Sequence, residues 1–271
     1  MSEPLGRRCA LSILAALVLA LLAGLLAWGP IPLDAAAHAY ADVRAWHRLP
    51  NAGNVLACLP LLCVAAWGWS ATRASRWGDE LRRPWSGFHL GAASTAVLAA
   101  VYHVAPNDTA YLLAHATSAA AFVLLCAGVL AERVDARFGS APAMIGAALL
   151  VAVALALTLL GTLFGAGIDL RPLVMLEALP VLLIPAGALG LRGAHTRTAD
   201  WMVMLAAYAA AKAFDLADAA VLQATGWIGG HALMHLGMAA VAGWLAYCAA
   251  DARAESAGPE TRRQTSLNTS G

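Results

Sequence analysis

Charge is scarce in this sequence. Asp, Glu, Lys and Arg make up 12% of its 271 residues, about half the share of a soluble domain, too few to clothe a water-facing globule. Lysine is nearly missing: of the 17 basic residues 16 are Arg and one is Lys212, a usage that points to a GC-rich bacterial genome. The formal net charge of +1 leaves no basic surplus, so nucleic acid is not expected as a partner. Cysteine amounts to Cys9, Cys58, Cys63, Cys126 and Cys248, none in CxxC spacing. All five lie in or beside apolar runs, so they read as small buried hydrophobes and not as a disulfide framework.

What the chain has in abundance is apolar sequence: 61% hydrophobic residues and a mean hydropathy of +0.70. The fold class that follows is an all-α polytopic membrane protein. Eight stretches, roughly 9–29, 53–72, 86–104, 109–131, 141–165, 172–192, 200–222 and 228–250, are long enough to span about 30 Å of hydrocarbon. Residues 1–30 read as an N-terminal transmembrane anchor. A signal peptide is the alternative, with Arg7 and Arg8 as its basic region and small residues at Ala35–Ala37, but the apolar run is long for that. Residues 31–250 then form a seven-helix domain, and the polar stretch 251–271 reads as a disordered cytoplasmic tail.

The connections are unequal in charge. Arg7, Arg8, Arg73, Arg76, Arg82, Arg83, Arg133, Arg137, Arg192, Arg197, Arg253, Arg262 and Arg263 fall on one side; only Arg44, Arg48 and Arg171 fall on the other. By the positive-inside rule both termini are expected in the cytoplasm, in a bacterial inner membrane.

Imidazole in hydrocarbon is costly and is normally kept for a polar task. His231 and His235 in GGHALMHLGM stand at i, i+4 on one helix face, the spacing of a two-point metal bite. His103 in VYHVAPND ends another apolar segment, and the orientation above puts all three in the outer leaflet, within about 12 Å of its surface. His115 falls at a similar depth. The expectation is a three-histidine zinc site with an open fourth position.

Several blocks carry a family resemblance over residues 38–250: YADVRAWHRLPNAGNVLACLP, YHVAPND, GVLAERV, IDLRPLVMLEALP, AKAFDLAD and GWIGGHALMHL. Taken together they resemble the alkaline ceramidase family, within the wider group of seven-helix membrane hydrolases, and its bacterial branch most of all. The resemblance implies that His103, His231 and His235 bind Zn2+. Zinc in such a set polarises an amide carbonyl and activates water, which the family uses to hydrolyse ceramide-like lipids. A membrane lipid is then the implied partner.

Two positions depart from the family. A serine is expected four residues before His103 and an aspartate eleven residues after it; here these are Ala99 and Ala114. His115 is the candidate catalytic replacement, although it points about 100° from Ala114 on an ideal helix. Asp108, Thr117, Ser118, Asp215 and Asp218 are the other polar groups near that layer. Lys212 and Asp215 at i, i+3 can pair across a turn. With Asp218, they either anchor the structure or support a histidine N–H. Glu177 stands where the family often has glutamine. In Asp169–Pro172 the sequence reads as a loop-to-helix junction with Pro172 in the first turn. Eukaryotic relatives add a calcium site, but Asn51 replaces a glutamate there and only Asp34 and Asp42 lie upstream, so no calcium site is expected.

Three readings follow. One is a zinc-dependent membrane amidase with weakened or altered activity. Another is a catalytically lapsed relative that binds zinc and lipid without turnover. The third, a haem electron carrier, fares worst, because histidines at i, i+4 on one helix cannot take opposite axial positions of one haem.

Overall fold

The computed structural model describes residues 3–254, and among them there is no β-strand. Ten α-helices follow one another: α1 (Glu3–Trp28), α2 (Ala52–Ala57), α3 (Leu59–Ala74), α4 (Asp79–Val104), α5 (Asp108–Arg133), α6 (Ala141–Leu160), α7 (Arg171–Gly190), α8 (Thr198–Leu216), α9 (Asp218–Thr225) and α10 (Gly230–Ala254). Among the described residues seven stretches are long and apolar enough to cross a membrane: α1, the α2–α3 pair, α4, α5, α6 with the turn after it, α7 and α10. α8 carries Asp200, Lys212 and Asp215 and is not among them.

Among the differences from the sequence expectation, three have a clear physical reason. The segment expected at 53–72 breaks at Cys58, because Pro60 lacks the N–H that would close a helical bond to the Leu56 carbonyl. α4 starts at Asp79 and not near 86, since Asp79 pairs with Arg82 and Arg83 one turn on and makes a polar first turn helical. The segment expected at 200–222 breaks at Ala217, whose φ of −99° and ψ of 21° leave the helical region. There Gly230 presses against the Phe214 carbonyl so closely that no side chain could fit between them. The DLRP junction is as expected, with α7 opening at Arg171 and proline in its first turn. α10 continues to Ala254, past the boundary expected at 251; the rest of the stretch expected as a tail, 255–271, lies outside the described residues.

The main core packs α3, α4, α5, α7, α8 and α10 through small residues such as Ala65, Ala92, Ala96, Ala239, Ala242 and Ala249. Small side chains let membrane helices approach closely, which lipid alone would not drive. Trp85 packs between Trp77 and Trp201, its ring tilted against both at 5.1 and 6.2 Å. α1 lies against α7, with Leu14 packed on Cys126 and Leu183. At the end of α5, buried Arg133 donates to the carbonyls of Leu191 at 2.6 Å and Thr196 at 2.7 Å. Glu132 meanwhile accepts from the backbone of His195 and Thr196, each at 2.7 Å. The ER pair thus ties down the chain that links α7 to α8.

Pro84 frees the Glu80 carbonyl in α4, and Gly139 sits directly on that oxygen. A Cβ at 139 would overlap it, and backbone cannot give way cheaply. Gly139→Ala is therefore expected to cost about 3 kcal/mol, read as a lowered thermal midpoint of the detergent-solubilised protein. The cysteines also need one correction: Cys58 and Cys126 are buried, but Cys9 and Cys63 face outward.

Candidate metal centre

Four segments meet at the end of the bundle where α4 finishes and α10 begins. The last turn of α4 carries His103, and the first two turns of α10 carry His231 and His235. The break between α2 and α3 carries Cys58, and the chain between α1 and α2 brings in Tyr40. His103 Nε2 and His235 Nε2 face each other at 3.0 Å, with the two residues only 1% and 9% exposed. Their ligand atoms and Cys58 Sγ all lie within 4.8 Å of one another, so this buried group could hold a metal ion. His231 stands just outside that group, its ring 4.9 Å from His235 and 5.1 Å from His103.

Each of these side chains is held in place by others. Asn51 adopts a left-handed backbone (φ 47°), which asparagine tolerates, and donates from Nδ2 to the His103 carbonyl at 2.8 Å. Asp218 accepts the His231 backbone N–H at 2.9 Å and the Ala41 N–H at 2.8 Å, capping α10 and fastening the loop over it. Asp215 Oδ1 lies 2.7 Å from His231 Nδ1, and its Oδ2 accepts from Lys212 Nζ at 2.5 Å. A carboxylate only accepts, so His231 Nδ1 carries a proton, and in the neutral ring Nε2 then presents a lone pair. That Nε2 is buried and has no hydrogen-bond partner. Carboxylate–histidine pairs of this kind orient a ring toward a metal.

Tyr40 covers the centre, its ring 4.4 Å from His231 and 4.9 Å from His103. Burial, and then the hydrogen bond with Tyr102, push its phenol pKa upward, so it stays protonated. Asp42 anchors the same loop. The Arg44 guanidinium, at 2.8 Å from both carboxylate oxygens, holds the Asp42 carboxyl below the usual range. Arg44 also reaches the carbonyls of Gly226 and Trp227 at 3.1 and 2.8 Å.

The three histidines open on a cavity of 420 Å³, whose wall also includes Ala99, Ala114, His115, Glu177, Lys212 and Asp215. Ala99 and Ala114 are each 7% exposed and pack with Cys58 in one buried apolar cluster. His115 stacks on Tyr111 at 4.2 Å and places Nδ1 3.2 Å from Glu177 Oε1. Thr117 is committed elsewhere, donating to the Ala114 carbonyl at 2.9 Å. Ser118 lines the cavity, while Asp108 lies 2.9 Å from His38 Nε2 and is not part of that lining. Asp34 caps the short turn Ala35–His38 through the Ala36 N–H at 2.9 Å.

Cys58 and Tyr40 were not picked out as site residues. A search for CxxC spacing passes over a single cysteine, and Tyr40 sits in a connection with no periodicity. The one local signal for Cys58 was the proline two residues after it. No family model, curated protein or solved structure matches the chain.

Proposed function

We propose that this protein is a zinc-dependent integral-membrane amidase that hydrolyses the amide bond of a ceramide-like lipid. The observation that carries this reading is the meeting of His103, His235 and the Asp215-held His231 at the wall of a 420 Å³ cavity. Neutral imidazoles with a neighbouring thiol form a donor set suited to zinc, and the bare His231 Nε2 is the kind of buried atom that a metal satisfies. When bound, zinc supplies a Lewis acid for the amide carbonyl and activates water. Asp215 keeps His231 in the ligating tautomer, and Lys212 holds Asp215 in place. His115, engaged by Glu177, is the base available on the wall where Ala114 carries no carboxylate. Tyr40 and the loop that Arg44 fastens limit water at the top of the site.

This reading includes eight spans, with α8 and α9 as the seventh, both termini in the cytoplasm of a bacterial inner membrane, and the centre near the outer leaflet. The charge asymmetry of the connections supports it. A second reading, a lapsed relative that binds zinc and lipid without turnover, is favoured by the buried Cys58–Ala99–Ala114 cluster.

Hydrolysis of a fluorescent ceramide by protein in lipid vesicles separates the two readings. The native chain is expected to release labelled fatty acid above a His235→Ala control, and equal rates in the two would remove the amidase reading.

A further inference from the structure

Cys58 is a buried thiol beside the histidines to which the proposed chemistry gives no step of its own. It is 1% exposed, and its Sγ donates only to the Asn54 carbonyl, one turn back, at 3.3 Å. The break before Pro60 turns it toward the histidines, and it meets the donor atoms of His103 and His235 within 4.8 Å. It thus lies within the closest donor group, which His231 does not. Its other neighbours are Ala99 and Ala114, whose single methyl groups leave the thiol its room. Larger polar side chains at either position would compete for the same volume.

We infer that Cys58 is itself a metal ligand: its thiolate joins His103, His231 and His235 in a closed four-coordinate shell, and the fourth position opens only when the sulfur leaves. The inference rests on the metal-centre reading above and deepens it. On ligation the S–H bond breaks, a sulfur–metal bond forms and one proton passes to water, with no change in oxidation state. A three-imidazole site keeps an open position for substrate, whereas three imidazoles and a thiolate fill a tetrahedron, as in structural zinc sites. The cysteine and the two alanines then act as a set: the alanines admit the thiol, and the thiol closes the centre. This resting state stores the metal securely and holds the lipid chemistry back.

Cobalt(II) reports the donor set by its colour. The full-length protein in detergent, stripped and reloaded with one equivalent of cobalt, is expected to show the visible bands of four-coordination together with a near-ultraviolet sulfur-to-cobalt band. Cys58→Ser should abolish the ultraviolet band and weaken zinc binding by more than about 100-fold, beyond the usual cost of losing a ligand's supporting group. Cys126→Ser should leave both unchanged. Stoichiometric cobalt without the sulfur band in the native chain, a result needing no variant, overturns the ligation of Cys58 while leaving the metal centre standing. A chain that takes up no cobalt overturns both. Ceramide turnover is a separate readout: if the sulfur band is present and turnover is absent even in Cys58→Ser, the amidase reading fails and the ligation does not.

Discussion

The double variant Ala99→Ser with Ala114→Asp is expected to hydrolyse a fluorescent ceramide at least about 100-fold faster than the native chain. Each position supplies a group that the side chain now there does not offer. A hydroxyl at 99 stands one turn before His103 on the same face of α4, where it can donate to the carbonyl oxygen of a bound amide. A carboxylate at 114 gives the cavity wall a proton acceptor where it now has a methyl group. Donors and bases of this kind are each worth about 10²–10⁴-fold in rate. The site is buried, so a bare carboxylate would cost several kcal/mol without a positive partner. The gain therefore depends on bound metal and should vanish when His235→Ala is added. Combining the pair with Cys58→Ala should raise the rate further, because the same volume is cleared of sulfur. A folded, metal-loaded double variant no faster than the native chain would show that the two alanines are not what limits catalysis.

Asp215→Ala is expected to weaken metal binding by about 10–100-fold. Asp215 does two tasks at once, fixing the His231 proton on Nδ1 and pairing with Lys212. Its removal lets His231 turn and leaves an ammonium facing the cavity without its carboxylate. The pair is partly open, with 44% exposure at Lys212 and 22% at Asp215. The stability loss should accordingly be about 1–2 kcal/mol, below the 3–5 kcal/mol of a fully buried pair. Asp215→Asn separates the tasks, since an amide oxygen can still accept from His231 but carries no charge for Lys212. Competitive zinc titration should place Asn between Ala and the native chain. Equal affinity in all three would assign Asp215 a structural role alone.

Much of the bundle was legible because the bilayer forces it: long apolar runs can only become helices, and composition alone marked them. The breaks at Cys58 and Ala217 were not read. The first needed weight given to Pro60 inside an apolar run, and the second arises from contact with Gly230, thirteen residues on. His103, His231 and His235 stood out because imidazole is expensive in hydrocarbon and two of them share a helix face. The Lys212–Asp215 pair was visible at i, i+3 spacing. Its link to His231, sixteen residues away, exists only once α10 folds back beside α8. His115 and Glu177 meet across 62 residues and carry no mutual signal in the sequence. Cys58 was read as a small hydrophobe, which its burial fits; only its histidine neighbours give it a second role.

Elemental analysis tests whether His103, His231 and His235 form a metal centre. Full-length protein purified without chelator, beside a His103→Ala variant of equal fold, should carry close to one zinc per chain, and the variant close to none. A native chain with no more metal than the variant would rule out a metal centre at these histidines.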